Sequence, residues 1–495
     1  HDGKPRRRTL TRRQTPVLLS RIVVSFASRL RTIVLPALAV GGSLIAIGFA
    51  GLPGTEESRP RNVILISVDA LDPRSLRAHR PSAAEHPNLD RLAGEALVFR
   101  KAYSSASWTL PAHASLLTGL YSDRHGATDR RRGLRDGTTT LAAVLEANDV
   151  ETVAFTDGGY LDPQFGLAAG FERYDQLLAE EPTEPSSIPR RGRRASIHEG
   201  LPFDRGIAFL QQRGTSSRPF FLFLHTYLVH DYFKLHPWAT PGVESGALRT
   251  RREYLACLVG KASCNPTDWR VLRELYFADL AYLDGGLGRL LRAIQEAGLR
   301  ESTLVVLVSD HGESFDFERQ RTGHGGRLHD DQLRIPLWLA GPGITPGASD
   351  QPVSIVDVMP TILAAVGLPV PEELDGRPLP STPGAAPGAE RPIYAMSYYH
   401  WWHGRRRIDS TNVRTEPLAV AVLWKDLAYI RSKNGEELYD MTTDPDQRRN
   451  LADVSRHRDE LRRLSLARSD HRPAGAAVVE KPELTEHLRA LGYLQ

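Results

Sequence analysis

Two stretches of this chain are apolar at nearly every position and stop at an acidic residue. Asn62-Val-Ile-Leu-Ile-Ser-Val-Asp69 is the first, and Leu304-Val-Val-Leu-Val-Ser-Asp-His-Gly312 the second. A third run, Phe220-Phe-Leu-Phe-Leu-His225, stops at a histidine. Short β-branched or aromatic runs without polar alternation predict strands covered on both faces, as in a parallel sheet packed between helices. From residue 61 to about 375 such runs alternate with helix-patterned stretches such as Leu287–Ala297. The pattern predicts an α/β fold with a doubly wound, mostly parallel sheet. Pro182–Gly200 is polar and arginine-rich and predicts a surface loop, while Gly376–Pro392, rich in Pro, Gly and Ala, predicts a boundary. After it come the apolar runs Ala419–Leu423 and Leu427–Ile430 and the turn signal Lys433-Asn-Gly435. They predict a β-hairpin within the C-terminal segment 393–495.

In open α/β sheets ligands collect outside the carboxyl ends of the strands. Asp69, Asp310 and His311 all fall at such ends, so adjacent strands would bring them together. Ser107-Trp-Thr-Leu-Pro-Ala-His-Ala-Ser-Leu-Leu-Thr-Gly119 adds a hydroxyl. Pro111 near a first turn and Gly119 past a last turn bracket a short helix with Thr109 at or next to its N-cap. An ordinary Thr cap explains Thr109 taken alone. Beside two carboxylates and an imidazole it instead completes a divalent-metal site, and a metal is what a Thr nucleophile needs near neutral pH.

These residues resemble the sulfatase family of the alkaline-phosphatase superfamily. The family pattern runs Cys-or-Ser, any residue, Pro-Ser-Arg, any residue, Ser-Leu, any residue, Thr-Gly. Here it is matched by Thr109-Leu-Pro111-Ala-His113-Ala-Ser115-Leu-Leu-Thr118-Gly119. Pro87-Asn-Leu-Asp-Arg-Leu92, Gly323-His-Gly-Gly326, Arg334-Ile-Pro-Leu337, Gly341-Pro-Gly343 and Val353-Ser-Ile-Val-Asp-Val-Met-Pro-Thr361 follow the family order. Glu437-Leu-Tyr-Asp440, Asp444-Pro445 and the ending Leu491-Gly-Tyr-Leu494 extend the likeness to the C-terminus. The resemblance implies a catalytic domain over residues 61–375, then a small C-terminal α+β subdomain over residues 393–495, an antiparallel sheet with a helix.

The departures bear on chemistry. Sulfatases oxidise the Cys or Ser to formylglycine, which Thr109 with its β-methyl group cannot become in the usual way. His113 stands where the family has Arg, Ala70 where it has a second Asp after Asp69, and His311 where it often has Asn. The set Asp69, Thr109, Asp310 and His311 resembles the Thr-nucleophile branch of the superfamily, which includes phosphodiesterases and phosphoglycerol and phosphoethanolamine transferases. One divalent ion is implied. Imidazole in the ligand set moves the preference from Ca²⁺ toward Mn²⁺ or Zn²⁺.

By the same resemblance His225, His230 in Val-His-Asp-Tyr232, and His324 of the Gly-His-Gly stretch face the substrate, together with His113. His225 and His324 join Thr109 in catalysis, with His324 binding the transferred group or protonating a leaving group. Read without the resemblance, a histidine at a strand end is a structural hydrogen-bonding residue. Asp279 and Asp284, on the helical segment Tyr276–Ala297, predict a solvated face or a cap. Tyr398-Tyr-His-Trp-Trp402 with Arg405-Arg-Arg407 reads equally as a rim for an anionic or lipid head group and as a core strand with a solvated turn.

Charge and hydropathy at the N-terminus add a location. The net charge of +4 conceals nine basic residues and one acidic residue among the first 31, without which the chain carries −4. The basicity is terminal and gives the folded domain no nucleic-acid partner. Ile33–Leu52 then carries no charge and is long enough to cross a bilayer. Residues 1–32 therefore predict a cytoplasmic arm, 33–52 a signal-anchor, and everything beyond an extracytoplasmic catalytic domain on the membrane surface. A cleaved signal peptide ending near Gly48-Phe-Ala50 and a buried soluble helix are the rival readings. The two cysteines, Cys257 and Cys264, predict a small loop-closing disulfide in an exported domain, with two buried thiols as the alternative.

The expected function is cleavage or transfer of an anionic ester by a metal-assisted Thr nucleophile, on an envelope lipid or glycan, with phosphoester or phosphodiester chemistry leading. Sulfate-ester hydrolysis without formylglycine is the second reading. A pseudoenzyme that binds envelope polymers without turnover is the third, opposed by the retention of Asp69, Thr109, Asp310 and His311.

Overall fold

The computed structural model describes residues 59–469 apart from 178–201, 215, 241–248, 259–263, 317, 319–320, 385–389 and 399–415, with short pieces between 475 and 488. The basic arm, the apolar segment 33–52, the loop 182–200 and most of the aromatic and arginine cluster at 398–407 lie outside the described residues. Among the described residues no helix is long and apolar enough to cross a membrane.

An eight-stranded sheet forms the centre. In chain order its strands are β1 (Asn62–Val68), β2 (Leu97–Phe99), β3 (Glu151–Thr156), β4 (Arg173–Gln176), β5 (Phe220–Thr226), β6 (Thr303–Val308), β7 (Leu337–Ala340) and β8 (Gly347–Ser349). In space they run β8-β2-β7-β6-β1-β5-β3-β4. β1 lies between β5 and β6, parallel to both, and all seven of its residues are buried. Its side chains point alternately to two faces. Val63 and Leu65 join one apolar cluster, while Ile64, Ile66 and Val68 join the other, which is why the run has no polar alternation.

Helices cover both faces. α1 (Pro87–Glu95), α3 (Pro202–Gln212) and α4 (Pro266–Glu296) supply Leu89, Phe203 and Leu280 to one cluster, and α2 (Thr109–Thr118) supplies Leu110 and Leu116 to the other. The sheet is mixed rather than simply parallel, because β7 runs antiparallel to both β6 and β2. Antiparallel neighbours need no crossover. Residues 309–336 therefore stay at the carboxyl end of β6 instead of passing over a face of the sheet.

Asp279 and Asp284 are buried, where the sequence predicted a solvated face or cap. The helix is longer than the predicted segment and lies in the core. Asp284 accepts from the Asn88 and Leu89 backbone N–H groups at 3.0 and 2.7 Å, capping α1 across space. Asp279 accepts from His236 Nδ1 and Trp238 Nε1. Cys264 is disulfide-bonded, while the Cys257 side chain lies outside the described residues.

A four-stranded antiparallel sheet follows, β9 (Ile393–Ser397), β10 (Ala419–Trp424), β11 (Leu427–Ser432) and β12 (Gly435–Asp440), with α5 (Arg458–Ser469). The turn after Ser432 sits at the Asn-Gly signal, with Gly435 at φ 124°. On α5, Arg468 pairs with the buried Asp123 at 2.9 Å and Asp375 at 2.7 Å, and lies over the rings of Tyr121 and Tyr394. It ties the C-terminal helix to the catalytic domain.

Candidate active site

The register of the central strands assembles the site. Ser67 of β1 is paired with His225 of β5 on one side and Val308 of β6 on the other. The residues just past these strands, Asp69, Asp310 and His311, therefore share one end of the sheet. The chain turns sharply there, with Ala70 at φ 57°, a left-handed conformation that costs a non-glycine residue roughly 1–3 kcal/mol. Four hydrogen bonds hold the turn. Ala70 N–H donates to Asp310 Oδ1 at 3.2 Å, Leu71 N–H to Ser309 Oγ at 2.9 Å and Asp72 N–H to the Tyr276 hydroxyl at 2.9 Å, which itself donates to the Ala70 carbonyl at 3.0 Å. The same turn fixes the direction of Asp69.

α2 brings the hydroxyl. Gly119 ends the helix in the left-handed region at φ 68°, and its N–H donates to the Ser115 carbonyl. Every residue of α2 is buried. Thr109 is the first helical residue and Trp108 the N-cap, so Thr109 falls next to the cap position. Its Oγ1 donates to Asp69 Oδ2 at 3.0 Å instead of capping the helix.

One turn later, His113 stands beneath Thr109. Its Nδ1 donates to the Thr109 carbonyl at 2.9 Å, and its Nε2 accepts from Ser67 Oγ at 2.8 Å. Burial holds its pKa below the ordinary range, which suits the neutral ring this pattern requires. Both nitrogens are occupied by protein atoms. The expectation that His113 binds substrate gives way to a supporting position between β1 and α2.

Asp69, Asp310 and His311 offer ligand atoms that all lie within 4.8 Å of one another, and all three residues are completely buried. Among the described residues Asp69 Oδ1, Asp310 Oδ2 and His311 Nε2 have no hydrogen-bond partner. His311 Nε2 stands 3.5 Å from Asp69 Oδ1 and 3.3 Å from Asp310 Oδ2. Its Nδ1 donates to the Gly312 carbonyl at 3.0 Å, which turns Nε2 toward the carboxylates. Burial pushes His311 down to about 3, leaving a neutral imidazole with a lone pair to share. Burial, reinforced by the facing Asp310 charge, pushes Asp69 well up. Two carboxylates forced together away from water need a proton or a cation between them. The donor set, two carboxylate oxygens, one imidazole and an adjacent hydroxyl, fits a divalent metal ion.

Three more histidines border this cluster. His225 Nε2 lies 3.6 Å from Asp69 Oδ2, and both ring nitrogens are buried without a hydrogen-bond partner among the described residues. An imidazole always carries at least one N–H, so this orphaned donor suits an oxygen of a bound substrate. The His324 ring lies 4.3 Å from that of His311 and 4.9 Å from that of His230, centroid to centroid. Carboxylates hold both. His230 Nδ1 bonds Asp231 Oδ1 at 2.8 Å, and His324 Nδ1 bonds Glu313 Oε2 at 2.7 Å. All eight residues proposed from the sequence thus fall in or beside one cluster at the strand ends.

Sequence reasoning passed over four residues. Ser67 holds His113, Glu313 holds His324, and Tyr232 donates to Glu313 Oε1 at 2.7 Å. Asp157, just past β3, accepts from Thr226 Oγ1 and Tyr227 N–H, and burial pushes it up to about 7. Glu313 alone carried a local signal, lying three residues beyond Asp310 in the same strand-end segment.

The Sulfatase family model matches residues 61–368 of this chain. The chain belongs to the sulfatase family, within the alkaline-phosphatase superfamily, and is an enzyme. A second family model, N-sulphoglucosamine sulphohydrolase C-terminal, matches residues 326–469. Arylsulfatase K of Rattus norvegicus is 25% identical over 449 residues, covering 81% of this chain and 77% of its own. Among solved structures, the phosphonate monoester hydrolase of Agrobacterium radiobacter has a TM-score of 0.66 at 21% identity, covering 83% of this chain and 95% of its own. A protein solved with its substrate D-glucosamine-2-N,6-O-disulfate has a TM-score of 0.62 at 19% identity, covering 84% and 99%. Both likenesses concern the fold. Sulfatases use a divalent metal ion, and the three unpartnered ligand atoms are where this chain's residues suit one.

Proposed function

We propose that this enzyme cleaves or transfers anionic esters with Thr109 as the nucleophile, phosphoesters and phosphodiesters before sulfate esters. The observation that carries the reading is the Thr109 hydroxyl, 3.0 Å from Asp69 Oδ2, beside three buried ligand atoms that lack partners. Asp69, Asp310, His311 and Thr109 would hold one divalent ion, Mn²⁺ or Zn²⁺ in preference to Ca²⁺. Such an ion supplies Lewis-acid stabilisation of the ionised hydroxyl and of the charge that develops on the substrate. The Thr109 proton passes to Asp69 Oδ2, near which His225 Nε2 stands at 3.6 Å. Thr109 Oγ1 then attacks phosphorus or sulfur in line with the leaving oxygen, and His225 and His324 donate hydrogen bonds to the charged oxygens. Water or a second hydroxyl compound resolves the covalent Thr ester.

Thr at the nucleophile position favours phosphorus, because a formylglycine hydrate is not available to it. Sulfate-ester hydrolysis is the second reading, favoured by the similarity to arylsulfatase K along four fifths of the chain. The uncharged segment 33–52 behind a basic arm would place the active site outside the cytoplasm, where lipid and glycan esters of the envelope are the anionic substrates at hand. The test is turnover of aryl sulfate, phosphate monoester and phosphodiester by the purified full-length chain with metals varied. Mass spectrometry of trapped enzyme should then show phosphate or sulfate on Thr109. No turnover of any ester with any divalent ion would return the chain to the class of non-catalytic binders.

A further inference from the structure

Glu313 is 2% exposed and belongs to neither the metal cluster nor the wall around it. Each of its carboxylate oxygens has one protein partner. Oε1 accepts from the Tyr232 hydroxyl at 2.7 Å and Oε2 meets His324 Nδ1 at 2.7 Å. Its backbone is anchored as well, since Arg74 Nη2 donates to the Glu313 carbonyl at 3.0 Å. Tyr232 is itself 2% exposed and packs edge-on against Tyr276, whose hydroxyl holds the turn after Asp69. The carboxylate is thus fixed at both oxygens and through its main chain, and the imidazole it holds is that of His324.

A carboxylate that accepts from Nδ1–H decides what the other nitrogen does. It fixes the tautomer and the ring plane and leaves Nε2 as the nitrogen that exchanges hydrogen with a ligand. The His324 ring lies 4.3 Å from that of His311, on the border of the cluster that contains Thr109 and Asp69. His230 presents the same design, but its carboxylate Asp231 is also paired with Lys234 Nζ. The Glu313 carboxylate instead meets a hydroxyl and an imidazole, those of Tyr232 and His324.

We infer that Glu313 is a positioning residue that acts through His324, holding Nε2–H toward the leaving-group oxygen while Tyr232 holds Glu313. The inference rests on the functional reading above. In the step concerned, the Thr109 Oγ1 bond to phosphorus or sulfur forms and the bond from that atom to the leaving oxygen breaks, its electron pair going to the leaving oxygen. His324 enters the step as the imidazolium, with Nδ1–H on Glu313 and Nε2–H on the leaving oxygen. Nε2 gives its proton to that oxygen, the ring is left neutral with Nδ1–H still on Glu313, and the product leaves as an alcohol. Asp69 Oδ2 receives the Thr109 proton. Glu313 exchanges no proton and stabilises the ring that does.

A series of aryl esters from p-nitrophenyl to p-methoxyphenyl tests this, using the ester class that the full-length enzyme turns over best. A good leaving group needs little protonation and a poor one needs much. Glu313→Gln should lower kcat roughly ten- to a hundredfold more on the p-methoxyphenyl than on the p-nitrophenyl ester, with KM little changed. Tyr232→Phe, which leaves the carboxylate in place but frees one oxygen, should shift the leaving-group dependence in the same direction by less. His324→Ala should reproduce the Glu313→Gln dependence, and the double variant should be no worse than His324→Ala alone. Equal losses on all leaving groups in Glu313→Gln, with a normal melting curve, would overturn the assignment. If His324→Ala shows the dependence and both Glu313→Gln and Tyr232→Phe do not, Glu313 is merely structural and the functional reading stands. If Thr109→Ala retains full activity on every ester, the functional reading itself has failed.

Discussion

Thr109→Ala is the sharpest perturbation of the proposed chemistry. The side chain is completely buried, and its hydroxyl donates to Asp69 Oδ2 at 3.0 Å. Removing a nucleophile from an assembled site costs at least about four decades in kcat, equivalent to about 5 kcal/mol of transition-state stabilisation. The cost to folding is far smaller. The hydrogen bond to the buried Asp69 carboxylate is lost, worth about 1–3 kcal/mol, and the deleted methyl is a minor part of a core this large. Activity and stability should therefore separate, with kcat collapsing while the urea midpoint moves modestly. Thr109→Ser keeps the hydroxyl and should retain activity within about tenfold. Thr109→Val keeps the shape without the hydroxyl and should be as inactive as Ala. The assay is steady-state turnover of the best ester from the substrate screen, with mass spectrometry of enzyme quenched during turnover. An Ala variant within about tenfold of the native rate would refute the nucleophile assignment.

Four further outcomes are expected. Elemental analysis should find one divalent ion per chain, and Asp310→Asn or His311→Ala should weaken its binding by about ten- to a thousandfold in a calorimetric titration; a metal-free native enzyme indifferent to chelators would contradict this. Burial pushes Asp157 up to about 7 from an ordinary 3.8, so the folded chain keeps a proton that the unfolded chain has lost. That contribution to stability is complete below about pH 4 and is lost as pH rises through 7, with a slope of up to about 1.4 kcal/mol per pH unit, and Asp157→Asn should flatten the decline in urea titrations between those pH values. Arg468→Met should destabilise the fold by about 3–5 kcal/mol in urea unfolding, because it removes a cation that pairs with buried Asp123 at 2.9 Å and with Asp375 at 2.7 Å, and a loss under about 1 kcal/mol would count against the clamp. Protease added to intact spheroplasts should remove the catalytic domain and spare the basic arm, whereas full protection would place the active site inside.

Much of the site was legible because its residues sit where strands end. Asp69, Asp310 and His311 follow apolar runs whose burial on both faces is written in their composition, and Pro111 and Gly119 frame the helix that carries Thr109. A solvated face was expected for Asp279 and Asp284 because charge on a helix ordinarily means water, with a cap as the alternative. Asp284 instead caps α1 from a distant part of the chain, and Asp279 is held by His236 and Trp238. No spacing rule reports such long-range partners.

The linear pattern by itself determined the strand–helix alternation, the polar residues at the strand ends and the threonine at position 109, where the family pattern has Cys or Ser. These are local properties, settled by side-chain size, polarity and covalent structure. The tertiary structure decided the antiparallel placing of β7, which keeps residues 309–336 at the active end of the sheet and so brings Glu313 and His324 to the metal cluster. It also decided the work of His113, which spends both nitrogens on Ser67 and Thr109. Hydrogen bonds between residues 46 and 81 positions apart follow from strand order and register, and those are set by the packing of the whole core rather than by any segment of it.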